Sequence, residues 1–124
     1  MNEVVLLTGA LGTVGRTILS HLSDSYTWRL LDNQPPDSDF PYDIITADIL
    51  DTSIVTEAVE GVNAIIHLAG DPQTSASWKS VLRNNIEGTQ ILLEAAVNSG
   101  VEKFIFASSN HVVSHYETND KSTL

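Results

Sequence analysis

Cysteine is absent from this 124-residue chain, and Lys and Arg number only six against 16 Asp and Glu. Without thiols the chain has neither disulfides nor thiolate metal sites, which fits a reducing compartment. A net charge of −10 disfavours a nucleic-acid partner, because such a partner requires a basic face. The N-terminus enters a strand almost at once, and no apolar run approaches the length that crosses a bilayer. We therefore expect a soluble cytoplasmic protein that binds no metal, no nucleic acid and no membrane.

Strong acidity is also a property of halophilic proteins. The chain has only three lysines, so its composition fits a salt-loving host and fits an ordinary acidic cytoplasmic protein equally well. At this length we expect one domain over residues 1–124, which buries about two thirds of its unfolded surface in a single core.

The most informative stretch is residues 4–15, which read VVLLTGALGTVG. Four apolar residues fit a strand that is buried on both faces, and the apolar spacing becomes helical at Val14, Ile18, Leu19 and Leu22. Glycines between a strand and a helix let the backbone approach a pyrophosphate, whose charge the helix N-terminus favours. The spacing is G-x-x-G-x-x-G, and a glycine turn of purely structural value is the alternative.

Asp32 strengthens the dinucleotide interpretation of the glycines. It ends the next apolar strand, Trp28–Leu31, and follows Gly12 by 20 residues. A carboxylate at that place can accept hydrogen bonds from an adenosine ribose.

The rest of the pattern predicts the order β-α-β-β-α-β-α-β. A proline-rich loop, NQPPDSDFP, stands where a helix would join the second and third strands. Alternating strands and helices imply a doubly wound α/β fold, in which a parallel sheet is covered on both faces. The predicted elements after the loop are a strand at 44–47, a helix after Thr52 that Gly61 ends, a strand at 64–69, a helix at 78–99 and a strand at 103–108.

Six short motifs in this order resemble the extended short-chain dehydrogenases, the NAD-dependent epimerase/dehydratase superfamily. They are TGALGTVG, Asp32, Ala47-Asp48, HLAG at 67–70, NIEGT at 85–89 and FASSNH at 106–111. The ASSNH run is similar to the uronate dehydrogenases and to the NAD-dependent glucose-6-phosphate dehydrogenases of halophilic archaea. The resemblance implies a Rossmann-type sheet of five strands, truncated before the sixth, in the N-terminal part of such an enzyme.

The resemblance also implies an NAD site, in which Asp48 and Ile49 hold the adenine and the HLAG motif passes close to the cofactor. The residues implied in cofactor binding are Gly9, Leu11, Gly12, Thr13, Val14, Gly15, Asp32, Asn33, Asp48, Ile49, Leu68, Ala69, Gly70 and Ser108. Asp48 has the alternative of an ordinary helix N-terminal residue. His67 is interpreted as a packed strand-end residue and not as an acid or base.

For catalysis the resemblance implies that Ser109 hydrogen-bonds the reacting hydroxyl and that Asn85 supports a proton-relay water. Ser109, Asn110 and His111 would bind the sugar substrate. Asn85 can instead be an ordinary polar helix residue, and Asn110 and His111 can be turn formers.

The chain departs from the family in one respect, since the catalytic tyrosine and lysine, four positions apart, are missing. Tyr116 and Lys121 are five apart on an aperiodic tail, a spacing that does not put both side chains on one helix face. The 124-residue chain is thus expected to be inactive alone.

The expected activity of the longer protein is NAD-dependent oxidation of a sugar or sugar acid at its anomeric hydroxyl to a lactone. The alternatives are a non-catalytic NAD(H)-sensing module, a sugar-nucleotide epimerase or dehydratase relative, and a flavin or mononucleotide binder, which Asp32 disfavours. The helix at 78–99 has more apolar positions than one stripe requires, and the family commonly pairs this helix across a two-fold axis. We therefore expect a homodimer through it.

Overall fold

A computed structural model describes residues 2–109 and 112. Five parallel strands form one sheet in the order β3-β2-β1-β4-β5. The strands are β1 Val4–Thr8, β2 Thr27–Asp32, β3 Ile45–Thr46, β4 Ala64–His67 and β5 Lys103–Phe106. The helices are α1 Thr13–Leu22, α2 Thr52–Val59, α3 Trp78–Val81 and α4 Gly88–Asn98, with a π-helical segment Leu82–Glu87 between the last two. The predicted order of elements and the doubly wound parallel fold are confirmed.

The two faces of the sheet bury separate apolar clusters, because successive side chains of a strand point to opposite faces. Leu6, Leu31 and Ile65 face α2 and α4, whereas Leu7 and Leu30 face α1. Each fully buried leucine contributes about 1.5–3 kcal/mol to folding, so β1, buried on both sides, is the centre of the core.

The sequence predicts no helix between β2 and β3. The proline-rich loop there covers the sheet instead. Phe40 and Tyr42 pack against the α1-side cluster, with their ring centroids 5.6 Å apart in an edge-on arrangement. Two aromatic side chains thus replace the apolar stripe of a crossover helix.

Several boundaries differ from the sequence prediction. The helix α2 begins at Thr52, and its N-cap is Asp51, whose carboxylate accepts the Ile54 N–H at 3.2 Å. Val14 is 58% exposed, because its position in the first turn of α1 lies at the edge of a cleft. The predicted single helix at 78–99 contains the π-helical segment. Gly61 follows a helix end with φ of +69°, as predicted for a C-terminal cap, and Gly100 follows α4 in the same way with φ of +73°.

Candidate functional site

A cleft of about 710 Å³ opens at the carboxyl ends of the strands. It lies where the strand order reverses, between β1 and β4, which is where open α/β sheets bind ligands. Every residue predicted to bind the cofactor lines it except Ser108: Gly9, Leu11, Gly12, Thr13, Val14, Gly15, Asp32, Asn33, Asp48, Ile49, Leu68, Ala69 and Gly70.

Two glycines of the β1–α1 loop occupy positions where no side chain fits. Gly9 has φ +69°, and a Cβ there would lie 2.8 Å from the Ala69 nitrogen. A Cβ on Gly15 would lie 2.7 Å from the carbonyl oxygens of Gly9 and Ala10. Gly12 is the N-cap of α1, and no side chain caps this helix end. The N–H groups of this helix end are therefore presented to the cleft, as an anion site requires.

Asp32 holds this loop in place. Its Oδ2 accepts the Leu11 N–H and its Oδ1 accepts the Gln34 N–H, both at 3.0 Å. The residue is only 9% exposed, yet it lines the cleft. A carboxylate has about four acceptor sites, so these two bonds leave capacity for two ribose hydroxyls.

Asp48 and Ile49 line the cleft in the segment that follows β3. Asp48 Oδ1 accepts the Leu50 N–H at 2.9 Å, and its Oδ2 lies 3.7 Å from Arg83 Nη2. The carboxylate is about half exposed and does not cap α2, since Asp51 does so. Ile49 is buried and packs so closely on α4 that a Cβ on Gly88 would lie 2.5 Å from its Cγ2.

The HLAG loop is fastened by Asn85 of the π-helical segment. The Asn85 Oδ1 accepts the Asp71 N–H at 2.7 Å, and its Nδ2 donates to the Asp71 carbonyl at 3.2 Å. Both ends of the amide thus bind the backbone of one residue, Asp71, which directly follows the HLAG motif. Asn84, and not Asn85, lines the cleft, so in this structure Asn85 shapes the cleft through the loop.

His67 lies at the end of β4 and is 1% exposed. Its Nδ1 lies 2.7 Å from the Thr8 hydroxyl, and its Nε2 lies 2.8 Å from the Thr89 hydroxyl. Burial lowers the pKa of His67 from 6.5 to about 4, so the ring is neutral at pH 7. A buried neutral ring with two hydroxyl partners is consistent with the packing role predicted for it.

Asp71 fastens the other side of the loop that follows β4. Its carboxylate accepts the Ser80 hydroxyl and the Gln73 N–H, the second at 3.0 Å. These hydrogen bonds, the Ser80 bond first, lower the pKa of Asp71 below its usual value. The loop therefore carries a negative charge at the rim of the cleft.

The serines after β5 lie outside the cleft. Ala107 lines it, whereas Ser108 and Ser109 are exposed beyond the strand end. Asn110 and His111, together with Tyr116 and Lys121, lie outside the described residues.

Residues 5–124 match the sequence model of a family described as the NAD dependent epimerase/dehydratase family. This chain belongs to that family. The predicted resemblance is thereby confirmed.

Individual members of the family are also similar to this chain. The chain is 55% identical to an NAD-dependent glucose-6-phosphate dehydrogenase of Haloferax volcanii, with 98% of the chain and 49% of that enzyme covered. It is 38% identical to a uronate dehydrogenase of Pseudomonas putida, with 94% of the chain and 44% of that enzyme covered. The chain thus spans about half the length of the curated relatives it matches.

A solved structure of a relative has the same fold. A variant of uronate dehydrogenase from Agrobacterium tumefaciens, complexed with NAD, superposes with a TM-score of 0.78 at 34% identity. The match covers 88% of this chain and 42% of that one. In the described part of the chain, none of the helices is long and apolar enough to cross a membrane.

Within this family site, sequence reasoning missed several cleft residues. They are Gln34, Ala47, Asp71, Pro72, Gln73, Asn84 and Ala107, together with Leu31. The loop 71–73 directly follows the carboxyl end of β4, and the ligand rule for parallel sheets could have identified it.

Proposed function

We propose that this chain is the NAD-binding half of an oxidoreductase that oxidises a sugar or sugar acid at its anomeric hydroxyl to a lactone. The observation that carries the proposal is the cleft at the strand-order reversal, where the glycine loop between β1 and α1 is held by Asp32. The named relatives, which are dehydrogenases of a sugar phosphate and of uronates, support the substrate class.

The residues of the cleft fit NAD. Gly9 and Gly15 allow the close backbone packing that sets the N-terminus of α1 at the cleft, where its N–H donors would bind the pyrophosphate. Asp32, beside Asn33, would accept the ribose hydroxyls, and Asp48 and Ile49 would hold the adenine. Leu68, Ala69 and Gly70 would form the wall beside the reacting ring. When bound, NAD supplies the acceptor for the hydride that leaves the sugar carbon.

On the substrate side we assign Ser109 to the reacting hydroxyl, with Asn110 and His111 binding other sugar hydroxyls. Asn85 would support proton transfer by holding the HLAG loop and the water beside it. The chain has no Tyr-x-x-x-Lys, the pair that gives a base accessible near neutral pH. We therefore propose that the 124-residue chain binds NAD but does not turn over sugar.

We further propose that the longer protein is a homodimer through the helix at 78–99 and works in a salt-rich host. The exposed apolar side chains of Trp78, Ile86 and Val97 support the first proposal. The net charge of −10 and the relative from Haloferax volcanii support the second.

The test is a calorimetric titration of the purified chain with NAD and NADP in high salt, repeated with Asp32→Ala. We expect NAD to bind more tightly than NADP, because Asp32 repels a 2′-phosphate, and we expect the variant to lose most of its NAD affinity. Asp24→Ala is the matched control, because Asp24 is exposed and its carbonyl contacts Asn2 at the opposite end of the sheet. Tighter NADP binding, or equal losses in both variants, would contradict the cofactor assignment.

Activity is tested separately, from the absorbance of NADH with glucose-6-phosphate, glucuronate and galacturonate. The longer protein should oxidise at least one of them, whereas the 124-residue chain should oxidise none. Loss of a general base costs on the order of 10²- to 10⁴-fold in rate. A longer protein that binds NAD and oxidises no sugar would favour the NAD(H)-sensing alternative.

A further inference from the structure

Arg16 lies in the first helical turn of α1, and three groups hold its guanidinium. Its Nε donates to the Leu11 carbonyl at 2.9 Å, and its Nη2 donates to Asp37 Oδ2 at 2.9 Å. Its Cζ lies 5.3 Å from the centroid of the Phe40 ring. A cation that the sequence pattern had not connected with the cleft is thus fixed beside the glycine loop.

Leu11 connects Arg16 to Asp32, the carboxylate proposed to bind the ribose. Leu11 donates its N–H to Asp32 Oδ2 at 3.0 Å and accepts Arg16 Nε at its carbonyl. From backbone bond lengths, Arg16 Nε and Asp32 Oδ2 are at most about 10 Å apart. Arg16 does not line the cleft itself, but a 2′-phosphate on a ribose bound at Asp32 would be within reach of its long side chain.

Asp37 accepts the Nη2–H of Arg16, which is a donor that such a phosphate would otherwise receive. It belongs to the proline-rich loop, whose Phe40, together with Tyr42 directly after the loop, packs on the α1 side of the sheet. Because this packing fixes the loop, the Asp37 carboxylate is held against the guanidinium. It neutralises the charge of Arg16.

The Arg16–Asp37 pair is open to solvent, with side-chain exposures of 43% and 68%. Exposed pairs of this kind contribute little to fold stability, so the pair can be broken without loss of the fold. A phosphate monoester carries nearly two charges and three strong acceptor oxygens. It would compete well for a guanidinium that is released from its carboxylate.

We propose that Asp37 is a specificity-determining residue, which excludes NADP by holding Arg16 away from the 2′-phosphate. The proposal rests on the proposed NAD site. It adds a second cause for the preference for NAD over NADP, beside the repulsion of the 2′-phosphate by Asp32. Removal of the Asp37 charge releases Arg16 and makes the 2′-phosphate acceptable.

The experiment measures dissociation constants of the 124-residue chain for 5′-AMP and for adenosine 2′,5′-bisphosphate, and then for NAD and NADP. The two adenosine probes differ only in the 2′-phosphate, so the comparison needs no complete nicotinamide pocket. In Asp37→Asn, at low ionic strength, we expect the bisphosphate and NADP to bind about fivefold more tightly, the upper value for the loss of an exposed ion pair. We expect the affinities for 5′-AMP and NAD to change less than about twofold.

Two further variants test whether the gain requires the position of Asp37 and the cation of Arg16. Asp39→Asn makes the same change of charge in the same exposed loop and should leave the bisphosphate affinity within about twofold. Arg16→Met added to Asp37→Asn should remove the gain. The gain should also decrease with salt, because it depends on charge.

Three results would overturn the proposal: no gain in Asp37→Asn, an equal gain in Asp39→Asn, or a gain that persists in the double variant. A separate result would show that the proposed NAD site is wrong. If the unsubstituted chain binds neither 5′-AMP nor NAD, the proposed function is contradicted and the specificity role falls with it.

Discussion

The Nδ1 atom of His67 lies 2.7 Å from the Thr8 hydroxyl oxygen, and this bond joins the carboxyl ends of β4 and β1. The Thr8 oxygen also accepts the Ala69 N–H at 3.2 Å. On the other side of the ring, the Thr89 hydroxyl donates to the Asn85 carbonyl at 2.7 Å, so it accepts from Nε2. The partners thus assign the Nε2–H tautomer. One neutral ring connects the cleft-lining Ala69 to the helix that carries Asn85.

This arrangement predicts a pH dependence of stability. The pKa of His67 is about 4 in the folded chain and about 6.5 when unfolded. Below pH 6.5 the unfolded chain binds a proton that the folded chain does not, so the free energy of unfolding decreases as pH falls. Between pH 7 and pH 4 the loss from this group approaches about 3 kcal/mol. Urea unfolding measured across that range checks it.

The controls for this pH prediction are His67→Gln and His21→Gln. The first variant should be less stable at pH 7 and show a flatter decline towards pH 4, because the titrating ring is gone. His21 is exposed on α1, so its variant should retain the slope of the unsubstituted chain. An unchanged slope in His67→Gln would assign the acid sensitivity to carboxylates.

Gly15→Ala should cost both stability and NAD affinity. Its Cβ would lie 2.7 Å from two backbone oxygens of the glycine loop, and the helix end must move to accommodate it. We expect a stability loss of about 1–3 kcal/mol and an NAD affinity at least tenfold weaker, since the N–H donors move with the helix.

Gly61→Ala is the matched substitution for Gly15→Ala. Gly61 has φ +69° and open space around a Cβ, so the strain of about 1–2 kcal/mol should lower the melting temperature without changing NAD binding. Thermal unfolding and titration of both variants separate the two effects. Intact NAD affinity in Gly15→Ala would show that the glycine loop does not hold the cofactor.

Ser109→Ala in the longer protein should lower turnover by tenfold or more while the NAD dissociation constant changes little. A hydroxyl that positions the reacting oxygen acts mainly in the transition state. Ser108→Ala is the neighbouring control and should retain most activity. Steady-state kinetics and NAD titration of both variants decide between the serines, and the reverse pattern would assign the reacting hydroxyl to Ser108.

The proposed dimer is tested at Val97, which is 76% exposed on α4. Ile86, Leu93 and Val97 are spaced by seven and four residues, which places them on one helix face. Val97→Lys should make the longer protein a monomer at micromolar concentration in sizing with light scattering. Thr56→Lys, on exposed α2 surface, should leave the dimer intact. A monomer before any substitution would contradict the interface.

The sequence predicted the order of strands and helices and most of the residues that line the cleft, because these depend on local pattern. Apolar runs identify β1 and β4, and glycines beside a strand end identify the loop. Asp32 was predicted as a ribose acceptor, but its bond to the Leu11 N–H depends on the spatial approach of two strand ends. No sequence spacing displays that bond.

The π-helical segment was not predictable for a different reason. One extra residue in a turn changes the apolar period over 82–88 too little to be seen in a single sequence. Its evidence is a hydrogen bond from Gly88 N–H to the Arg83 carbonyl, five residues back. The Arg16–Asp37 pair was likewise hidden, because its partners are 21 residues apart on a helix and an irregular loop.

The position of β1 between β2 and β4 has a consequence for synthesis on the ribosome. Val5 pairs with Trp28 on one side and with Ala64 on the other. One edge of the most apolar strand therefore remains without its neighbour until β4 has been made, for roughly 3 to 12 s at usual elongation rates. During that interval only the elements that precede β4 can form, namely the parallel β1–α1–β2 unit with β3 and α2. The excess of acidic side chains keeps neighbouring nascent chains apart.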